Sequence, residues 1–180
     1  MDLGKLGVWY FLDGLSTEDS IRAAQKIESL GYGALWLPET VGKDPLTTSS
    51  LLLSVTTKLN LATGIVNIYH REPGVMLAAQ KTLAEQSQNR FILGMGVSHK
   101  PLVEGVRGLE YGPPVKTMRD YLSKMEASPY TGIASSEKPT TLIAALGPKM
   151  LELAAEKTDG AHPYFTSPEH TEFARKILGK

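Results

Sequence analysis

Short apolar runs alternate with stretches of helical periodicity along the whole chain. Leu6–Phe11 is apolar and aromatic and ends at Asp13-Gly14, which predicts a buried strand. Ser16 or Thr17 can cap the next helix, with Glu18 and Asp19 in its first turn. Ile21, Ala24, Ile27 and Leu30 then recur at helical spacing, and Gly31 is placed to stop the helix. Ala34–Leu37 predicts a second strand, and Pro45 opens a helix running through Leu51, Leu52, Val55 and Leu59. Leu61–Ile68 predicts a third strand, with Pro73 at the first position of a helix ending near Gln86. Arg90–Val97 predicts a fourth strand, followed by a loop containing Gly105, Gly108 and Gly112, with a helix over Val115–Met125. A loop over 128–139, a fifth strand at Thr141–Ala145 and a helix at Pro148–Lys157 come next. A weak sixth strand at Ala161–Phe165 and a helix at Pro168–Leu178 complete the pattern.

Six βα units in succession imply a parallel sheet with right-handed crossovers. An open doubly wound sheet and a (β/α)8 barrel both satisfy that pattern. A barrel typically takes about 250 residues, whereas this chain has 180. It ends at Gly179-Lys180, after a helix and without a closing strand.

Composition narrows the function. Lys+Arg and Asp+Glu are 19 each, so the net charge is zero, which argues against nucleic acid as a partner. No apolar run reaches about 18 residues, so no membrane-spanning helix is predicted. The absence of cysteine excludes disulfides, thiolate metal sites and cysteine nucleophiles. Met1–Lys5 leads straight into the first strand without the apolar stretch of a signal peptide, which predicts a cytoplasmic protein. His70, His99, His162 and His170 form no ligand pair, so no metal site is expected. Neither a nucleophile elbow nor a P-loop occurs.

Four segments carry candidate chemistry. Leu93-Gly-Met-Gly-Val-Ser98 runs a strand into glycines, as a phosphate-binding turn does. The dinucleotide fingerprint needs a third glycine where His99 stands, and Lys100-Pro101 do not open a helix, so the Rossmann reading fails and a strand end packed against a neighbour, where only glycine fits, accounts for the glycines. Ala145-Leu-Gly-Pro-Lys-Met150 joins a strand to a helix, and Pro148 at the first helical position leaves the amides of Lys149 and Met150 available to an anion. An ordinary strand-to-helix loop fits the same residues. Trp36-Leu-Pro-Glu39 puts a carboxylate at the C-terminal end of a strand, the functional end in either architecture, although a surface Glu reads the same way. Gly64 inside Thr63–Arg71 predicts a bulge or close approach of a ligand ring, followed by the polar groups of Asn67, Tyr69, His70 and Arg71.

Taken in order, Gly7-Val-Trp9, Gly31–Glu39, Ala62-Thr-Gly-Ile65, Arg90–Val97, Ala145–Met150 and Asp159-Gly-Ala-His162 resemble the bacterial luciferase-like monooxygenase superfamily, in its actinobacterial branch of coenzyme F420-dependent oxidoreductases. The resemblance is colinear over essentially the whole chain. It implies an α/β fold of the (β/α)8 TIM-barrel type, here one incomplete domain over 1–180 with about six βα units present and the last two missing. It further implies a non-proline cis peptide at Gly64–Ile65 in a bulge that supports the deazaflavin or flavin ring. Glu39 and Asn67 are then implied near the cofactor, Gly96, Val97 and Ser98 in a cofactor-side turn, and Gly147 and Pro148 in the loop that binds its phosphate-bearing tail. Thr40 stands where several F420 enzymes carry a histidine, so the resemblance does not carry a proton-relay role over to this position.

The implied activity is hydride transfer between F420 and a small organic substrate, the cofactor carrying the chemistry and the protein positioning it. An FMN-dependent monooxygenase on the same fold is the second reading. A non-catalytic barrel fragment that self-associates is the third. Missing units would leave the first and sixth strands as open edges, which predicts a homo-oligomer that pairs through them, with a fully active monomer the least expected form.

Overall fold

The computed structural model describes residues 3–179. The leader and chain-end readings at Met1, Asp2 and Lys180 therefore lie outside the described residues. In chain order the elements are β1 (Gly7–Trp9), α1 (Thr17–Ser29), β2 (Ala34–Leu37), α2 (Pro45–Ser54), β3 (Asn60–Thr63) and β4 (Val66–Asn67). A 3-10 turn at Ile68–His70 precedes α3 (Pro73–Gln86) and β5 (Phe91–Gly96). A π-helical turn at Pro101–Val106 then leads to α4 (Pro114–Ala127), β6 (Thr140–Ala144), α5 (Pro148–Lys157), β7 (Gly160–His162) and α6 (Pro168–Leu178).

The chain forms two compact units that alternate along the sequence. The first comprises Met1–Val66, Ala79–Leu93 and Thr131–Thr140; the second comprises Asn67–Ala78, Gly94–Tyr130 and Thr141–Lys180. In the first, β1, β2, β3 and the start of β5 pair in parallel and in chain order, with Trp9 opposite Trp36, Leu37 opposite Thr63 and Leu61 opposite Phe91. β3 and β5 are buried along their whole length, as expected of parallel strands covered on both faces. In the second, β6 and β7 pair in parallel with Ala144 opposite His162. Met118, Leu122, Ile143, Leu151 and Leu153 supply the apolar core there.

Predicted and observed elements differ where local chemistry overrides the apolar pattern. Helix α2 stops at Ser54 instead of continuing to Leu59. Val55 N donates to Leu52 O, and Thr56 Oγ1 donates to the same carbonyl at 2.7 Å. The last turn thereby tightens and closes among β-branched residues. The third predicted strand is split into β3 and β4 by the Gly64–Ile65 step. The loop after β5 is not structureless: Pro101 does open a helical turn. His99 O accepts from both Leu102 N and Val103 N at 3.0 Å, and the Val103 side chain is fully buried. β7 ends at His162 rather than Phe165, because Pro163 has no N–H to extend the ladder and Phe165 has a φ of +53°. No described helix is long and apolar enough to cross a membrane.

A polar network holds the N-terminal ends of β3 and β5. The Arg90 guanidinium donates to Leu53 O and Leu59 O at 2.8 Å, to Thr56 O at 3.1 Å and to Thr56 Oγ1 at 3.3 Å. Glu28 Oε1 accepts from the amides of Thr57, Lys58 and Leu59 at 2.8, 2.6 and 2.8 Å. Burial pushes the Glu28 carboxyl up, but the three amides and the Arg90 charge outweigh it and hold the group below its ordinary value. Replacement of Arg90 by Met leaves these carbonyls without their donor, and urea denaturation is expected to show a loss of about 3 kcal/mol. A depressed carboxylate stabilises the fold above the unfolded-state pKa and loses that contribution as the pH falls through the folded value. Glu28→Gln should therefore lower stability at neutral pH and flatten its decline below pH 4.5, as read by unfolding at stepped pH.

Candidate functional site

In the first unit the C-terminal ends of β2 and β3 hold the bulge in place. Gly64 N donates to Leu37 O at 2.8 Å, and Glu39 N donates to Ile65 O at 3.2 Å. The Trp9 indole Nε1 reaches across from β1 and donates to Gly64 O at 2.8 Å. The Gly64–Ile65 peptide is cis. Glu39, Gly64 and Ile65 are thus brought together at one end of the sheet, with Gly64 buried and Ile65 and Glu39 half-buried. Gly7 makes room for this corner: a Cβ there would lie 3.0 Å from Trp36 Nε1 and 3.3 Å from Ala34 O. Phe11 packs edge-on against Trp9, with ring centroids 4.8 Å apart at 82°.

The neighbouring loop is organised by Asp13, which the sequence reading treated only as the end of a strand. Its carboxylate accepts from Lys43 N at 2.8 Å and from Thr40 Oγ1 at 3.3 Å. Gly42 passes so close that a Cβ would lie 2.2 Å from Asp13 Cγ. Lys43 Nζ donates to Leu15 O and Ser20 Oγ, which ties the loop after β2 back to the start of α1. Thr40 is a loop-fastening residue here. The signal available in the sequence was the Asp-Gly pair after one strand and Gly-Lys-Asp after the next.

In the second unit Asn67 is buried and acts as the cap of the 3-10 turn. Its Oδ1 accepts from Tyr69 N at 3.0 Å, and its Nδ2 lies 3.1 Å from His70 Nε2. Gly96 is buried, and Val97 and Ser98 are half-buried. Ser98 adopts a φ of +57°, rare for a residue with a side chain. Tyr111 Oη donates to Ser98 O at 3.3 Å.

Gly147 and Pro148 start α5 at the surface, with nothing within 4 Å of the position a Gly147 Cβ would take. The expectation of two available amides there is corrected: Met150 N is already donated to Gly147 O at 3.2 Å. The amide of Lys149 sits one position earlier, where no intrahelical acceptor exists. His170 Nε2 lies 2.9 Å from Leu146 O and steadies the approach to this turn. His162, at the C-terminal end of β7, is held below the ordinary histidine pKa by burial, so it stays neutral at neutral pH.

A cavity of about 540 Å³ in the second unit runs along β7, lined by Gly160, Ala161 and Pro163 on that side and by Ala174, Arg175 and Leu178 of α6. None of the candidate residues lines it.

Comparison with known proteins follows the same lines. The model of the luciferase-like monooxygenase family matches residues 12–178. A Mycobacterium tuberculosis protein provisionally named a coenzyme F420-dependent oxidoreductase is 30% identical over 199 residues, covering 93% of this chain and 56% of its own length. The coenzyme F420-dependent tetrahydromethanopterin reductase of Methanopyrus kandleri superposes with a TM-score of 0.79 at 20% identity, over 96% of this chain and 59% of that one. The oxygenating constituent of 3,6-diketocamphane monooxygenase from Pseudomonas putida, in complex with FMN, superposes at 0.76 and 15% identity, over 96% and 60%. The fold is therefore a parallel α/β half-barrel of six βα units of the luciferase-like TIM-barrel type. The chain spans about half the length of the curated relatives it matches.

Trp9→Phe keeps the ring and removes the donor to Gly64 O. Chemical denaturation is expected to show a loss of about 1 kcal/mol. Gly42→Ala should cost about 1–3 kcal/mol by the same measurement, because its Cβ displaces Asp13 from Lys43 N and Thr40.

Proposed function

The chain belongs to the luciferase-like monooxygenase family, and from that premise we propose a coenzyme F420-dependent oxidoreductase that passes hydride between the deazaflavin and a small organic substrate. The observation that carries this reading is the clamped Gly64–Ile65 bulge, set beside Glu39 at the C-terminal ends of β2 and β3. A relative named for F420 at 30% identity favours the deazaflavin. FMN is the second reading, favoured by an FMN complex on the same fold.

When bound, the cofactor supplies the carbon that carries the hydride; this chain's residues bind, orient and desolvate it. Gly64 and Ile65 offer a backbone surface against which a ring can lie, with Trp9 holding the Gly64 carbonyl away from solvent. Glu39 places a half-buried carboxylate at the same corner. Asn67, with its side chain committed to the turn it caps, presents a rigid edge rather than a mobile one. Gly96 and Val97 lead to Ser98, whose left-handed backbone turns the chain sharply after β5. Gly147 and Pro148 leave an open helix start whose Lys149 amide and positive dipole end suit the anionic tail.

We assign residues 1–180 to one partial-barrel domain with a cytoplasmic location. The free edges of β1 and of β7 are the proposed contacts of a homo-oligomer. Titration of the purified protein with F420 and with FMN, followed by absorbance and fluorescence, tests the cofactor assignment. Saturable F420 binding much tighter than FMN binding is expected. Preference for FMN supports the monooxygenase reading, and binding of neither overturns both. Light scattering is expected to give a mass above that of one chain.

A further inference from the structure

Two tyrosines of the second unit link three segments that otherwise have no covalent reason to keep a fixed relation. Tyr69 lies in the 3-10 turn after β4, and Tyr111 lies in the loop between the π-helical turn and α4. Their rings stack with centroids 5.6 Å apart at 28°. Each hydroxyl is bonded to the main chain of another segment. Tyr69 Oη accepts from Gly112 N at 2.9 Å, and Tyr111 Oη donates to Ser98 O at 3.3 Å. The 67–70 turn, the 111–112 loop and the 96–98 turn are thereby joined end to end.

Several details show that this is more than ring packing. Phenylalanine would stack equally well, so the hydroxyls answer a need for hydrogen bonds. Gly112 delivers its N–H only because the loop passes tightly over α4: a Cβ there would lie 2.6 Å from Thr117 Oγ1. Asn67 Oδ1 accepts from Tyr69 N, so the tyrosine's backbone is fixed by the residue assigned to the cofactor. Ser98 occupies a left-handed backbone region that residues with a side chain rarely adopt, and its carbonyl is the one Tyr111 holds. Burial, and then the adjacent Tyr69 hydroxyl, push the Tyr111 hydroxyl above its ordinary pKa, so it remains a neutral donor. The loop itself is pinned by the buried Val103, whose carbonyl accepts from Leu109 N at 3.0 Å.

We propose that Tyr69 and Tyr111 are positioning residues of the cofactor site, holding the Gly96–Ser98 turn and the Asn67–His70 turn in binding geometry through their stacked rings and two main-chain hydrogen bonds. This rests on the reading above that Asn67 and Gly96–Ser98 contact the cofactor. The test is titration of Tyr111→Phe, Tyr69→Phe and the double variant with F420 and with FMN, beside thermal unfolding of each. Each Phe variant is expected to raise Kd for the cofactor that the parent binds by about fivefold to tenfold, the scale of one lost hydrogen bond. The absorption band of the bound cofactor should shift relative to the parent complex, and the melting temperature should stay close to that of the parent. The double variant should lose less than the product of the two single losses, because one tie is being cut twice. Tyr111→Leu, which loses ring and hydroxyl, should bind more weakly than Tyr111→Phe. Parent-like Kd and spectra in both Phe variants overturn the inference alone. A loss of affinity that merely follows a fall in melting temperature also overturns it. A parent protein that binds neither cofactor overturns the functional reading and this inference with it.

Discussion

The backbone of β2 decides where β3 must stop. Leu37 O takes the Gly64 amide and Ile65 O takes the Glu39 amide. The chain therefore turns out of the ladder at one residue pair and re-enters it at Val66. Parallel pairing makes this possible, since neighbouring strands in the same direction finish at the same level and expose their ends together. The register of Trp9, Trp36 and Ala62 in turn brings the Trp9 indole within reach of the Gly64 carbonyl. A slip of one residue in any of these pairings would send Trp9 to the other face and leave the bulge without its clamp.

The two ends of the strands in the first unit are built from different chemistry. At the N-terminal end, Arg90 and Glu28 saturate loop carbonyls and amides, a network whose role is to hold β3 and β5 in place. At the C-terminal end the polar groups of Glu39, Asp13 and Thr40 are half-buried or exposed and are organised by main-chain contacts. Parallel α/β barrels in general keep stabilising contacts at the N-terminal face of the strands and chemistry at the C-terminal face.

Much of this could be read directly from residue types. The helix starts at Pro45, Pro73, Pro148 and Pro168 agree with the observed elements, because proline at the first turn sacrifices no hydrogen bond. Ser16 caps α1 through the Asp19 amide, as its side chain dictates. Apolar periodicity failed where a tertiary or side-chain contact outweighed it: at Thr56, which closes α2 early, and at Val103, whose burial folds a glycine-containing loop into a π-helical turn.

The sequence by itself determined the alternation of strand and helix, the parallel class, the family and the position of the Gly64–Ile65 bulge, because each is written in local spacing or in a short motif. Only the tertiary structure decided that Trp9 clamps the bulge, that Asp13 shapes the loop after β2 and that Tyr69 and Tyr111 tie their three segments together. Those contacts join residues 55, 30 and 42 positions apart. Nothing in the spacing of such distant residues shows that their side chains will meet; that depends on the register and crossing of the elements between them.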